Sequence, residues 1–270
     1  MMTETSTPRL GARGFGVAGA LPAEIVMLLA SAAEAGGYRT FWVNDTPGGD
    51  GLAKLQAAAG VTSTIRLGVG VIPLDRQPAD GIARRVQELA LPQERLSLGI
   101  GSGGQNDAIK RTGDAALLLQ ESLRAEVIIG ALGPRMCALA GSHAHGVLLN
   151  WLTPAYVEPS AQIVVDAAEQ AGRLDPSIYG YVRTALGPAA EAVFLAEAAR
   201  YGSYPSYAAN FERMGTPAEG TAVTGDTPAE IQAGLARYAS ELDETVVRAI
   251  TGAETGAAYL ELLTAAAPAR

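Results

Sequence analysis

Apolar positions along the chain fall into two alternating patterns. Short runs rich in β-branched residues, nearly continuous rather than alternating with polar ones, occur at 14–20 (GFGVAGA), 40–44 (TFWVN), 65–72 (IRLGVGVI), 95–101 (RLSLGIG), 126–132 (EVIIGAL), 146–150 (GVLLN), 178–185 (IYGYVRTA) and 244–250 (ETVVRAI). Strands covered on both faces read this way. Between them lie Ala-rich stretches with helical spacing. In 22–37, Ile25, Leu28, Leu29 and Ala32 share one face and a Gly pair ends the run. In 227–242, Thr227, Pro228 and Glu230 stand as N-cap, N1 and N3 of a capping box, and Ile231, Leu235, Tyr238 and Leu242 follow at helical intervals.

Eight strand–helix units without a break in composition predict a parallel α/β sheet in one domain spanning residues 1–270. That many units in 270 residues favour a closed (β/α)8 TIM barrel over an open doubly wound sheet. The segment between the fourth and fifth strands is short, which predicts a small lid and an open mouth. The interval 186–243 is the longest and has room for at least two helices.

Composition supports a large core: 48% of residues are apolar and 18% charged. A net charge of −8 argues against a nucleic-acid or anionic-membrane partner, either of which calls for a basic face. No apolar run is long enough to span a bilayer, and the start MMTETSTPRLGARG lacks the order of a secretory signal. The single cysteine, Cys137, excludes an internal disulfide and fits a reducing compartment, so the expected location is the cytoplasm.

Gly99, Gly101 and Gly104 spell G-x-G-x-x-G after the fourth strand. A dinucleotide-binding turn opens a helix directly and carries an acidic residue after the next strand. Here the polar stretch QNDAIKRTGD follows, and helical patterning resumes near Asp114. These glycines therefore read as the end of a barrel strand, where a flat ligand lies close to backbone.

Five stretches in order, 33–45, 61–71, 95–104, 133–154 and 223–250, together resemble the luciferase-like flavin/deazaflavin oxidoreductases. The resemblance implies a (β/α)8 barrel that binds FMN or coenzyme F420 across its C-terminal mouth. It places Asp45 beside the cofactor ring and a non-proline cis bond at Gly70–Val71 against the ring's back. Gly101, Ser102 and Gly103 lie along the cofactor. Gly133, Pro134, Arg135 and Met136 form the phosphate turn, where a helix start supplies N–H groups and a positive dipole end. Asn150 faces the mouth.

Two positions depart from the sugar-phosphate dehydrogenase branch. Thr46 stands where that branch has a histidine, and Gly104 where it has a glutamate, so its proton donors are not carried over.

Other residues draw weaker readings. Trp151 is positioned to stack on a planar substrate, or to shield the barrel end. Arg183 interrupts an apolar strand and needs an anion, either Asp45 or a ligand. Tyr201, Tyr204 and Tyr207 line a pocket or serve as packing. His143 and His145 lack a third ligand, so no metal is expected. Cys137 is expected to be buried and inert.

The implied activity is hydride transfer with F420 on a small organic substrate, in a homodimer. Similarity to the F420-dependent branch favours F420, as does a GC-rich coding bias read from 18 Arg against two Lys, with abundant Ala and Gly. The alternatives are a reduced-FMN-dependent monooxygenase and a catalytically silent ligand-binding barrel.

Overall fold

The computed structural model describes residues 11–104, 106–239 and 242–269. Its sheet consists of parallel strands β1 (Ala12–Ala18), β2 (Thr40–Asn44), β3 (Arg66–Pro73), β4 (Leu96–Gly101), β5 (Glu126–Ala131), β6 (Gly146–Asn150), β7 (Ser177–Leu186), β8 (Val223–Gly225) and β9 (Glu244–Ile250). Each of the first seven pairs with the next in sequence, and β9 closes the ring by pairing with both β7 and β1. The result is the predicted closed eight-stranded barrel, with the eight sequence runs as its staves.

β8 is an addition that three residues were too few to announce. It pairs with Thr184–Leu186, past Asn150↔Tyr181, the last pairing of β6 with β7. β9 holds the other edge of β7 through Ala185, so β8 takes the edge that β6 vacates.

The period-two alternation of the strands divides their side chains between two compartments. Trp42, Ile128, Leu148, Tyr179, Tyr181 and Val246 point inward and form a central cluster, with half-buried Val71 on it. Outward residues such as Phe15, Val17, Phe41, Val43, Leu67 and Val69 join the larger core under the helices. A Cβ at Gly68 would run into the Trp42 indole and one at Gly14 into the Glu244 carboxylate that holds it, so these glycines make room for the largest interior side chain and its partner.

Helices α1 (Ala23–Ala35), α2 (Gly51–Ala59), α3 (Ala79–Glu88), α4 (Ala108–Ser122), α5 (Pro134–His143) and α6 (Val157–Gln170) alternate with the strands. After β7 the order changes: α7 (Pro188–Gly202) and α8 (Pro205–Met214) precede β8, and α9 (Pro228–Ala236) leads into β9, followed by α10 (Gly256–Ala265). α9 opens on the predicted capping box, with Thr227 and Glu230 each accepting from the other's backbone. It ends at Ala236, earlier than the sequence pattern implied. α4 departs in the other direction, starting at Ala108 rather than near Asp114. Lys110 and Arg111 made its first turn look like loop, although Thr112 and Gly113 are buried beneath it.

Candidate active site at the barrel mouth

The C-terminal strand ends converge on a small cup. Its floor is Val71, whose side chain stands over the inner faces of β4 and β5. A Cβ at Gly101 would lie 2.7 Å from a Val71 methyl, and one at Gly130 would lie 2.8 Å away. The glycines of the fourth strand thus have a cause that sequence reading missed. The chain's own valine fills the space they leave, and that valine is what faces the mouth.

The Gly70–Val71 bond is cis, as the resemblance implied. The Gly70 carbonyl accepts from Asn44 Nδ2 at 3.0 Å, and Asn44 Oδ1 accepts from the Tyr181 hydroxyl at 2.5 Å. Burial pushes the Tyr181 pKa up to about 12, so the phenol stays a donor and pins Asn44 at neutral pH. Neither Asn44 nor Tyr181 carries a motif. Their signal was inward register alone.

Asp45 lies at the mouth, buried and fully engaged. Oδ1 accepts from the Gly51 N–H at the start of α2 (2.9 Å), and Oδ2 pairs with Arg76 at 2.7 Å. Burial raises its pKa, against the pull of the Gly51 N–H and Arg76. The carboxylate therefore anchors the β2–α2 turn. Ser102 and Gly103 form the turn after β4, where Gly103 has φ +67° and the Gly104 N–H donates to Asp75 Oδ2 at 3.0 Å.

At the strand-5 turn Gly133 is the N-cap of α5 and Pro134 its first residue. Pro134 has no N–H, and the Met136 N–H donates back to Gly133 O at 3.1 Å. The N–H groups of Gly133 and Arg135 are then the donors this turn can present. The Arg135 side chain runs instead along an external cleft with Ile109, Ala138 and Ser142. Arg213 of α8 supplies the nearby cation: its guanidinium donates to Leu132 O at 2.7 Å, and Nη1 lies 3.2 Å from where a Gly133 Cβ would stand. Sequence reading missed Arg213 because it comes from an element far along the chain.

Asn150, Trp151 and Arg183 do come together, and of its two expected places Trp151 takes the shielding one. Arg183 donates through Nη1 to Asn150 Oδ1 at 2.7 Å and through Nε to Glu197 of α7 at 2.8 Å. Its guanidinium carbon sits 3.4 Å over the Trp151 ring. The anion that Arg183 required is Glu197, and not Asp45. Trp151 is buried at φ +51°, packed among Phe194, Tyr201 and Phe211, so its ring belongs to the protein's packing. Tyr201 of α7, Tyr204 at the N-cap of α8 and Tyr207 of α8 form one aromatic group. These two helices cover the β6–β7–β9 side of the cup. The short β4–β5 segment therefore does not leave the whole mouth open, because the long interval after β7 supplies the cover.

The remaining candidates lie elsewhere. His145 is at the N-terminal end of β6, where Nδ1 accepts from the Val127 N–H at 2.9 Å. Ser142 Oγ shares a 2.8 Å contact with His143 Nδ1. Cys137 is buried, and burial pushes its thiol up to about 11. A polar cavity of about 470 Å³ opens at the N-terminal end among Arg66, Glu126, His145 and Ser177, away from the cup. Among the described residues no helix is long and apolar enough to cross a membrane.

A parallel eight-stranded barrel with its polar and glycine-rich strand ends gathered at the carboxyl side defines a (β/α)8 protein whose ligand end is that mouth. The luciferase-like resemblance is borne out: residues 10–124 match the family model described as luciferase-like monooxygenase. Solved structures with the same fold include a coenzyme F420-dependent tetrahydromethanopterin reductase from Methanopyrus kandleri, 18% identical with a TM-score of 0.70, over 89% of this chain and 93% of that one. An F420-dependent secondary alcohol dehydrogenase in complex with an F420-acetone adduct is 12% identical with a TM-score of 0.75, covering 95% and 99%. The oxygenating constituent of 3,6-diketocamphane monooxygenase from Pseudomonas putida, in complex with FMN, is 12% identical with a TM-score of 0.68, covering 96% and 97%.

Proposed function

We propose that the protein is an F420-dependent oxidoreductase that transfers a hydride to or from a small organic substrate at the barrel mouth. The observation that carries this reading is the Val71 floor. A half-buried aliphatic side chain is held from below by glycines and fixed from the side through Asn44 and Tyr181. Such a ledge suits one face of a planar ring, and fixed groups of this kind are what a cofactor enzyme contributes. Two further features fit the group. The strand-5 turn presents N–H groups beside Arg213, a suitable pairing for a phosphate. The Arg111 Nη1 atom, on the first turn of α4, is buried without a hydrogen-bond partner.

When bound, the deazaflavin supplies a carbon that accepts or donates hydride. The chain's own groups position and enclose. Val71 supports the ring, and Gly101, Ser102 and Gly103 border it. Gly133 to Met136, with Arg213, hold the phosphate. Asp45 acts through the β2–α2 turn rather than by direct contact, since both of its oxygens are engaged. Asn150 serves through Arg183. We place the protein in the cytoplasm on its single cysteine, and as a homodimer on the family resemblance alone.

The second reading, a reduced-FMN-dependent monooxygenase, draws on the cover: α7 and α8 bury Trp151, Phe194 and Phe211 beside the cup and would shelter a water-sensitive intermediate.

Titration of the purified protein with F420 and with FMN, followed by ligand fluorescence and calorimetry, tests both readings. Saturable F420 binding that Gly133→Asp weakens by about tenfold or more, through a carboxylate placed at the phosphate turn, supports the first. Tight FMN binding without an F420 signal moves the reading to the second. Binding of neither sinks both and leaves a silent barrel.

A further inference from the structure

At the mouth, β7 and β9 place two arginines side by side. Arg183 and Arg248 are register partners on neighbouring strands, each two residues on from an interior position, Tyr181 or Val246. Like charges directly opposite repel, and one carboxylate, Glu197, serves both. Arg183 takes most of it, with Nε 2.8 Å from Oε1, while Arg248 Nη2 remains 3.9 Å from Oε2. Arg183 is also spent on Asn150 and on the Trp151 face.

Arg248 is not spent. Only 12% of its side chain is exposed, yet among the described residues its hydrogen bonding goes to the carbonyl of its own neighbour, Ala249. On its other side its register partner is Gly16, which brings no charge, and the space over Gly16 is taken by the neutral Tyr181 phenol. Of the other mouth carboxylates, Asp45 is already paired with Arg76, and Asp75 accepts from the Gly104 N–H in the turn after β4. Two enclosed guanidinium groups therefore share one carboxylate, which leaves one positive charge in excess. An enclosed charge without a counter-charge is costly, and a ligand anion relieves that cost.

We propose that Arg248, backed by the Arg183–Glu197 pair, is an anion subsite that takes the carboxylate or phosphate of a small acidic substrate. The assignment to substrate rests on the reading of the mouth as the reaction site. The phosphate turn at Gly133 lies on another wall, so the two positions serve different anions. The same chemistry has a second source, the acidic tail of a cofactor, and the experiment separates the two.

Purified protein is titrated with benzoate and with inorganic phosphate by calorimetry and thermal shift, as wild type, Arg248→Gln, Arg248→Lys and Arg84→Gln, an exposed arginine of α3 paired with Asp80. The expected result is saturable binding of at least one anion by wild type and by Arg84→Gln. That binding weakens about tenfold or more in Arg248→Gln and is partly kept in Arg248→Lys, which retains a point charge. F420 and FMN are then titrated against the same proteins, and their affinities are expected to be unchanged.

No saturable anion binding by wild type, or equal binding by Arg248→Gln, overturns the subsite. A parallel loss of F420 or FMN affinity assigns it to the cofactor tail and overturns the substrate assignment. Should Arg248→Gln fail to fold, Arg248→Lys and the wild-type titration still decide. The anion titrations need no cofactor, so their failure is distinguishable from failure of the F420 reading.

Discussion

Glu244 shows how much a single interior residue can set. It begins β9 at the N-terminal end of the barrel, with no exposed surface, and accepts from Trp42 Nε1 and Thr40 Oγ1, each at 2.8 Å. Burial outweighs those two donors and the more distant Arg39, and pushes its pKa from 4.5 up to about 6. As pH rises from 4.5, the unfolded chain gives up this proton first while the folded chain still holds it, so this group withdraws stability until about pH 6. Glutamine stays neutral throughout. Glu244→Gln should therefore gain on wild type as pH rises, by about 2 kcal/mol between pH 4.5 and 7. Urea unfolding of both proteins at the two pH values measures it, and a constant difference would contradict the argument. Sequence showed only an acidic residue opening an apolar run. The pairing with Trp42 and Thr40 depends on ring closure, which no local pattern encodes. Arg183 was legible for the same reason in reverse: a charge inside a strand demanded a partner, but Glu197 lay on a helix whose path over the mouth was not legible.

Among the elements, the strands were readable because each barrel strand is buried on both faces and so carries its own continuous apolar run. Helix ends were readable where a side chain caps them, as at Thr227, and misread where tertiary burial decides, as at the start of α4. The cover formed by α7 and α8 escaped notice because its aromatic residues serve packing and a substrate pocket equally well on paper. Helix-to-helix approach is a further property that only the fold reveals. Gly141 of α5 faces α6, and a Cβ there would drive into the Val164 carbonyl, a backbone atom that cannot step aside. Gly202, on the last turn of α7, has nothing within reach of an added methyl. Gly141→Ala should cost about 3 kcal/mol or more, whereas Gly202→Ala should be neutral or gain up to about 1 kcal/mol through helix propensity. Chemical denaturation of the two variants side by side tests the contrast, and a mild Gly141→Ala would mean that α5 and α6 slide apart with little resistance.

For the whole molecule, the barrel ladder and the cover are held by different forces. The strands form an unbroken ring of backbone hydrogen bonds, closed through β9. α7 and α8 rest on aromatic contacts, on a few side-chain bonds such as Arg183–Glu197 and Arg213–Leu132 O, and on the three-residue pairing of β8. Units with fewer cross-links open below the global unfolding free energy. Amide hydrogen exchange should therefore show α7 and α8 exchanging well before the central residues of β1, β2 and β9. Equal protection across both would make the cover part of one cooperative unit. The same scale explains a limit of sequence reading. The five stretches pointed to a luciferase-like resemblance, while the distribution of charge around the mouth, with Arg248 left over, emerged only once β7 and β9 became neighbours.

Trp42 and its companions Ile128, Leu148, Tyr179, Tyr181 and Val246 fill the barrel axis completely enough that glycines had to make way for them. The molecule is consequently two vestibules separated by a solid partition. Whatever enters at the carboxyl end must leave by the same door. A compound lodged in the opposite, Arg66-lined chamber would meet no competitor from the mouth.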